Sequence, residues 1–339
     1  MSSFNDIFLQ DAFSFVSLQA AVNKLPYSEN YLGGTGLFEA TTAGVETNTV
    51  VIDETNGRLS ILNSSARGTP PQRYKKKDKA KSRAVIIPHF DFEDSITAAS
   101  LLGKRNPGEN ILQSVARQIN ETFIQMRQDI DDTWETHRLG ALRGELLDGD
   151  GSVIEDYFSL FNLTQITFNF ALGSASTEMR SRTVAAIRAI EAELGGVKYT
   201  GIEALCSAEF FDKFIEHAMV RDTFLNFQAA SVLREDIRFV GFPFGGVVWR
   251  EYRGMQGLAN DIGRVAPGEA IMYPVGVPGM YRRYFAPGDF METVGQLGQP
   301  MYAKVAPDLK YQKHVDTLME TNPLYINTRP SSVLRITMT

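Results

Sequence analysis

Residues 106–140 read NPGENILQSVARQINETFIQMRQDIDDTWETHRLG, and they specify a helix of unusual length. Asn106 can cap it, Pro107 suits the first helical position, and Glu109 stands three residues past the cap, each matching the unpaired amides of a helix start. Leu112, Val115, Ile119, Phe123, Met126, Ile130 and Trp134 then recur at steps of three and four, which draws one apolar stripe along a helical cylinder. His137 continues the stripe. The pattern runs less cleanly past Gly140 and Gly144 to Leu146-Leu147 and a stop at Gly149, so the expected helix spans 107–147. That is a rod of roughly 55 to 60 Å, about as long as a compact body of this chain length is wide. An elongated subunit built along the rod is expected, with a kink at Gly140 as the alternative.

Upstream of the rod the chain changes character. Residues 1–45 form an arm of short apolar groups punctuated by Pro26 and Gly33-Gly34-Thr35-Gly36. From 46 to 92 the pattern is β-like: Val50, Ile52, Leu59 and Ile61 lie around an Asn56-Gly57 turn, followed by Ala84-Val85-Ile86-Ile87 and Phe90 to Phe92. So few large apolar residues build no core of their own, and isolated two-stranded ribbons are marginal in water. Between the arms lies RYKKKDKAKSR, residues 73–83, whose Arg73, Lys75, Lys76, Lys77, Lys79, Lys81 and Arg83 face one Asp78. The chain carries a net charge of -6, so the remainder without this +6 ribbon carries -12. Charge is segregated along the chain, which disfavours polyanion binding by the whole surface. Only Tyr74 offers stacking, which disfavours a nucleic-acid site. The rod supplies an acidic counterpart in Asp129, Asp131, Asp132 and Glu135, and a neighbouring copy could offer it to the ribbon.

Downstream, Asp148-Gly149-Asp150-Gly151 precedes two alternating stretches, Val153–Phe158 and Leu163–Phe170, expected to pair as a hairpin. A second amphipathic helix follows, capped by Ser176 or Thr177, striped by Met179, Val184, Ile187, Ile190 and Leu194, and stopped by Gly195-Gly196. Strands at 197–206, 237–244, 247–252 and 269–275 with a helix through Phe210, Phe214 and Ile215 make a mixed α+β unit. Leu324 to Met338 reads as an alternating strand held to edge positions by Pro323 and Pro330.

Composition bounds the function. Of 339 residues, 43% are hydrophobic and 22% charged, ordinary for a soluble globular protein, and neither a signal sequence nor an apolar run of roughly 18 residues is present. A soluble protein made in a cytoplasm, with no membrane partner, is expected. Cys206 is the single cysteine, which rules out a disulfide framework within one chain. His89, Asp91, Glu93 and Asp94 in PHFDFED have metal-like spacing, but the same alternation describes any half-buried strand. Asp148 to Ser152 resembles half of a calcium loop, yet Val153 stands where glycine is needed and no glutamate closes it. No nucleophile elbow, zinc-protease or phosphate-loop motif occurs. No catalytic residue, metal or cofactor is expected, and neither is enzymatic activity.

The order of parts carries a resemblance. Gly68-Thr69-Pro70, Ile87-Pro88-His89-Phe90-Asp91, then Tyr284 to Phe290, Gly298-Gln299-Pro300 and Asn322-Pro323-Leu324-Tyr325-Ile326-Asn327-Thr328-Arg329-Pro330 together resemble the lambda-like major capsid protein E family of tailed bacteriophages. That resemblance implies the Hong Kong 97-type α+β fold: N-terminal arm (1–45), extended β loop (46–92), peripheral domain with spine helix (93–179), axial domain (180–296) and a C-terminal return (297–339). It implies hexamers and pentamers closing into an icosahedral shell around double-stranded DNA without sequence-specific binding. It also implies scaffold, maturation protease, portal and decoration protein as partners, with assembly in the host cytoplasm and residence in the virion. A cellular nanocompartment of the same fold (an encapsulin-like shell) is the alternative, told apart by its cargo. Ribbon and acidic group then become two sides of an intersubunit contact.

Overall fold

The structure, a computed structural model, describes residues 15–22, 30–38, 42–55, 79–102, 111–226, 237–254 and 262–339. The chain forms two compact units, one from residues 1–50, 85–135 and 283–324, the other from 51–84, 136–282 and 325–339.

The long helix runs Ile111–Arg143 as one element through Gly140; its expected cap at 106–109 lies outside the described residues. Val115, Ile119, Phe123, Met126, Ile130 and Trp134 are all buried, as the stripe requires. The helix ends four residues earlier than expected. Gly144 adopts a left-handed φ of 90°, and Glu145–Leu147 turns back as a strand paired with Val153–Asp156. The reversal needs a glycine at 140 too, because a Cβ there would lie 2.5 Å from the Glu145 carbonyl oxygen. The two glycines that blur the stripe are thus what lets the chain fold back beside its own helix.

In the first unit, Phe90–Thr97 and Tyr302–Pro307 flank His314–Thr321 in a three-stranded antiparallel sheet. Phe90 and Phe92, read from sequence as part of the β excursion, therefore belong to a strand that pairs far downstream, with Thr321 and Met319 opposite them. Trp134 from the helix packs on Phe285 at 5.6 Å between ring centroids and donates its indole N–H to Thr321 Oγ1 at 3.3 Å. The arm strand Thr42–Gly44 runs parallel to Arg283–Phe285. Val45 N–H donates to the Phe285 carbonyl at 2.9 Å, and Gly298 N–H donates to the Val45 carbonyl at 2.9 Å. Glycine is required at 298, where a Cβ would sit 2.0 Å from the Phe285 carbonyl oxygen.

The second unit centres on a six-stranded sheet in the order Thr167–Asn169, Leu334–Thr337, Glu269–Val275, Gly201–Cys206, Val247–Glu251, Phe242–Phe244. Phe210 and Phe214 of the helix Ala208–Glu216 stack on Trp249 of this sheet, the latter at 4.4 Å. Several expectations change here. Val153–Asp156 pairs with Glu145–Leu147 rather than with Leu163–Phe170, because Asp156 caps a short helix, Tyr157–Phe161, by accepting from the Phe158 and Ser159 amides. Thr167–Asn169 instead lies parallel to Leu334–Thr337. Ile237–Val240 is helical, not extended. The helix Met179–Leu194 buries Thr183 and Ala186 where Val184 and Ile187 were expected. Glu178 rather than Ser176 or Thr177 precedes it, with no side-chain cap. The closing segment splits: Pro323–Asn327 is buried throughout, and Leu334–Thr337 has neighbours on both sides. Pro330 does not force an edge position, since it starts the 3-10 turn Pro330–Ser332 between the two strands.

His137 is fully buried in this unit. Burial lowers its pKa to about 4, against a hydrogen bond to the Leu147 backbone and with help from the Arg138 charge. The unfolded chain, with a histidine pKa near 6.5, therefore binds more protons between pH 6.5 and 4, and stability falls as pH drops through that window. From pH 7 to pH 5 the loss from this residue is about 2 kcal/mol. Urea unfolding at the two pH values should show it, and the difference should shrink by that amount in His137→Gln. An unchanged difference would remove His137 as its cause.

Candidate assembly surfaces

The acidic group on the helix divides into two kinds. Asp131 is 3% exposed and accepts from Arg127 Nε through both oxygens, at 3.1 and 3.0 Å. The Arg127 guanidinium lies 5.4 Å from the Trp134 ring centre, a cation–π distance. Glu135 is 1% exposed and receives the backbone N–H groups of Leu32 and Gly33 at 2.7 and 3.0 Å. Those amides open the short helical turn Tyr31–Gly34, so the carboxylate seats the N-terminal arm. Asp132 is half-buried and accepts from Asn30 Nδ2 at 3.0 Å. Asp129 is exposed, and its carboxyl is pushed above the usual range by partial burial and by the Asp132 charge. Three of the four acids therefore make contacts within the chain, and two of them, Asp131 and Glu135, are buried in doing so.

Of the basic ribbon, Arg73, Lys75, Lys76 and Lys77 lie outside the described residues. Lys79, Lys81 and Arg83 belong to the strand Lys79–Ile86, which pairs with Thr49–Thr55 as a separate two-stranded sheet. Arg83 is half-exposed, its guanidinium 6.0 Å from the Phe161 ring centre. Ile86 on this pair is 70% exposed and Val51 63%. These are apolar strand residues turned to solvent.

The first unit exposes more. Among the described residues the three most exposed large apolar side chains are Met291, Val294 and Leu309, at 93%, 76% and 75%. Met291 and Val294 sit on the loop 289–299, pinned by buried Thr293, whose hydroxyl donates to the Gly288 and Phe290 carbonyls. Lys304 Nζ pairs with Glu292 at 2.6 Å and lies over the Phe290 ring. Leu309 sits on the tip joining the strands Tyr302–Pro307 and His314–Thr321. There the Asp308 carboxylate accepts from the backbone amides of Lys310, Tyr311 and Lys313 at 2.9, 3.2 and 3.3 Å. Those bonds hold its pKa below the usual carboxylate range.

A cavity of about 460 Å³ in the second unit is lined by Arg143, Glu145, Glu269 and Arg335 among apolar walls. Four of its charges are paired with one another, Arg143 with Glu145 at 2.8 Å and Arg335 Nε with Glu269 at 2.7 Å, while Asp156 caps the helix Tyr157–Phe161. The metal-like set does not converge either. His89 turns to Asn322 Oδ1 at 2.9 Å and Glu320 Oε1 at 3.3 Å, while Asp91, Glu93 and Asp94 are exposed along the strand. Among the described residues no group of three metal-type side chains comes together.

The family model for phage major capsid protein E matches residues 14–338. The chain belongs to that family. It is similar to the major capsid protein of Pseudomonas phage KPP10, 28% identical across 96% of this chain and 97% of the relative. It is also similar to the major capsid protein of Salmonella phage Felix O1, 23% identical across 71% and 70%. Among solved structures, the putative capsid protein of an Escherichia coli CFT073 prophage superposes with a TM-score of 0.54 at 12% identity, covering 96% of this chain and 99% of the other. The mature capsid of bacteriophage PhiM1 gives 0.50 at 12% identity, covering 91% and 87%. The fold is the α+β Hong Kong 97-type capsid fold, and the chain is a phage major capsid protein, a structural component of the virion shell.

Gly68-Thr69-Pro70 lies outside the described residues, and downstream motifs among the described residues have visible structural work. Asn322 Nδ2 donates to the Pro287 carbonyl at 2.9 Å and to buried Glu320 at 2.7 Å, which ties the Asn322-Pro323 motif to Ala286-Pro287-Gly288. Glu320 also receives the Asp289 amide at 2.9 Å. In the second unit, Tyr325 is buried under the Arg138 guanidinium at 5.0 Å, and its carbonyl accepts from the Tyr157 hydroxyl at 2.6 Å. Arg329 reaches the Leu194 carbonyl, the C-terminal end of the second amphipathic helix, at 3.2 Å. Sequence reasoning missed Arg127, Leu32 and Gly33 as partners of the acidic group. A spacing of four between Arg127, Asp131 and Glu135 was the available signal.

Proposed function

We propose that this capsid protein assembles as hexamers and pentamers of an icosahedral shell that encloses double-stranded DNA, formed in the host cytoplasm and without enzymatic activity of its own. In this reading residues 46–92 are an extended loop laid on a neighbouring copy, 93–179 a peripheral domain, 180–296 an axial domain and 297–339 a return to the peripheral part. Scaffold, maturation protease, portal and decoration protein are the partners this assembly would call on.

The observation that carries the loop's role is the strand pair Thr49–Thr55 and Lys79–Ile86, a two-stranded sheet that turns Ile86 and Val51 to solvent. Such a pair gains stability only on a surface. The ribbon Arg73, Lys75, Lys76, Lys77, Lys79, Lys81 and Arg83 supplies charge for that docking. Asp131 and Glu135 already have buried partners, so the proposed acceptor on the neighbour is centred on Asp129 and Asp132. Contacts of this kind steer association and weaken with salt.

Reversing Lys75, Lys76, Lys77 and Lys79 to glutamate is expected to leave the subunit folded and abolish closed shells in electron micrographs. Asp129→Lys with Asp132→Lys in the same chain should restore a fraction of them. Shells of unchanged yield from the reversed ribbon would sink the clamp. Particles that carry a dedicated protein instead of nuclease-protected DNA would replace the phage-head reading with a nanocompartment.

A further inference from the structure

We infer that the first unit carries a second, self-complementary contact: the hairpin tip 308–313 of one copy docks on the loop 289–299 of another. The inference rests on the shell reading above, and it concerns surfaces that reading leaves unassigned.

Each surface is an apolar group on a tied backbone with a rim whose net charge has one sign, positive on the tip where Lys310 and Lys313 outnumber Asp308 and negative on the loop where Asp289 and Glu292 outnumber Lys304. On the tip, Leu309 and Tyr311 are 75% and 64% exposed. Three amide bonds to Asp308 and a left-handed Gln312, φ 54°, fix the turn that presents them. Lys310 and Lys313 place their ammonium groups 4.8 and 5.4 Å from the Tyr311 ring centre, so cations frame the apolar pair. On the loop, Met291, Val294 and Leu297 are exposed beside the exposed acids Asp289 and Glu292. Lys304 offsets part of that charge. A flexible loop could fold such side chains away. These two cannot, because their backbones are tied at Asp308 and at Thr293.

The occupant is another copy of the chain because the two rims are opposite in net charge and the two centres are both apolar. An identical copy brings both halves. Joining unlike patches of identical copies is heterologous association, which closes into rings when the rotation allows. A partner of a different kind would have to match only one of the surfaces and would leave the other in water.

The test uses the full chain. One variant carries Leu309→Cys and another Val294→Cys; the one native cysteine, Cys206, is buried and its thiol is pushed well up by burial, so it stays silent. Particles assembled from an equal mixture are treated with a short bismaleimide, which tolerates an offset that a disulfide would not. A linked dimer is expected from mixed particles, absent from particles of either variant alone, and lost when the tip variant also carries Lys310→Glu and Lys313→Glu. Closed mixed particles without the dimer, or equal dimer from Leu309→Cys particles alone, overturn the tip-to-loop contact and leave the shell reading standing. Failure of the unaltered chain to form particles with DNA and its assembly partners would bring down the shell reading itself, and this contact with it.

Discussion

Arg127→Ala is expected to lower subunit stability by about 3 to 5 kcal/mol, the cost of leaving one member of a buried ion pair uncompensated. Asp131 is the residue left behind, in a place where it is 3% exposed and where Arg127 Nε donates to both of its carboxylate oxygens. The guanidinium also lies over Trp134, whose ring packs on Phe285, so truncation strips cover from the aromatic centre of the first unit. Urea unfolding measures the loss. The pair's geometry, rather than its charge, makes a second arm of the experiment informative. Replacing both members by apolar residues of similar volume, Arg127→Met with Asp131→Leu, is expected to recover most of the loss, because neither desolvated charge then remains. A loss below about 1 kcal/mol in the single variant, the range of a solvated pair, would mean that the pair is open to water.

The same row of the helix shows how far sequence could reach. Val115, Ile119, Phe123, Met126, Ile130 and Trp134 announce their burial, since six residues of amphipathic spacing admit few other readings. Arg127, Asp131 and Glu135 each stand one position beyond a stripe residue, about 100° round the helix. A charged residue on that flank is normally solvated, and periodicity alone gave no reason to bury it. At Glu135 the cover is the arm at Leu32 and Gly33, a hundred residues upstream, and at Arg127 it includes Met301, far downstream. Helix phase is local information, whereas the covering segment is not. The misassigned hairpin follows the same logic. Leu163–Phe170 alternates as a strand should, but alternation names no partner, and Thr167–Asn169 finds its partner at Arg335–Thr337. The motifs fared better because their asparagines, prolines and glycines mark close approaches. Gly298 is where the arm passes with no room for a methyl group. The apolar tip and loop left no pattern at all, since Leu309 and Met291 look like core residues until their exposure is known.

Glu135→Ala should release the N-terminal arm. Two backbone amides, Leu32 and Gly33, lose a buried carboxylate at 2.7 and 3.0 Å, and hydrogen bonds to a charged group contribute about 1.5 to 3 kcal/mol each. The sum of about 3 to 6 kcal/mol exceeds what a short segment needs to open locally, so the arm detaches before the unit unfolds. Expected readouts are faster amide exchange at Leu32 and Gly33 and new proteolysis within residues 30–38, with the three-stranded sheet still protected. Two conservative variants separate charge from reach. Glu135→Gln keeps one oxygen acceptor but points an N–H at the second amide, so it should behave nearly as badly as alanine. Glu135→Asp keeps the charge one methylene short, and should retain partial protection at one amide. Exchange at Leu32 and Gly33 that stays as slow in Glu135→Ala as in the parent chain would show that the apolar packing of Leu32 and Phe38, both fully buried, holds the arm without the carboxylate.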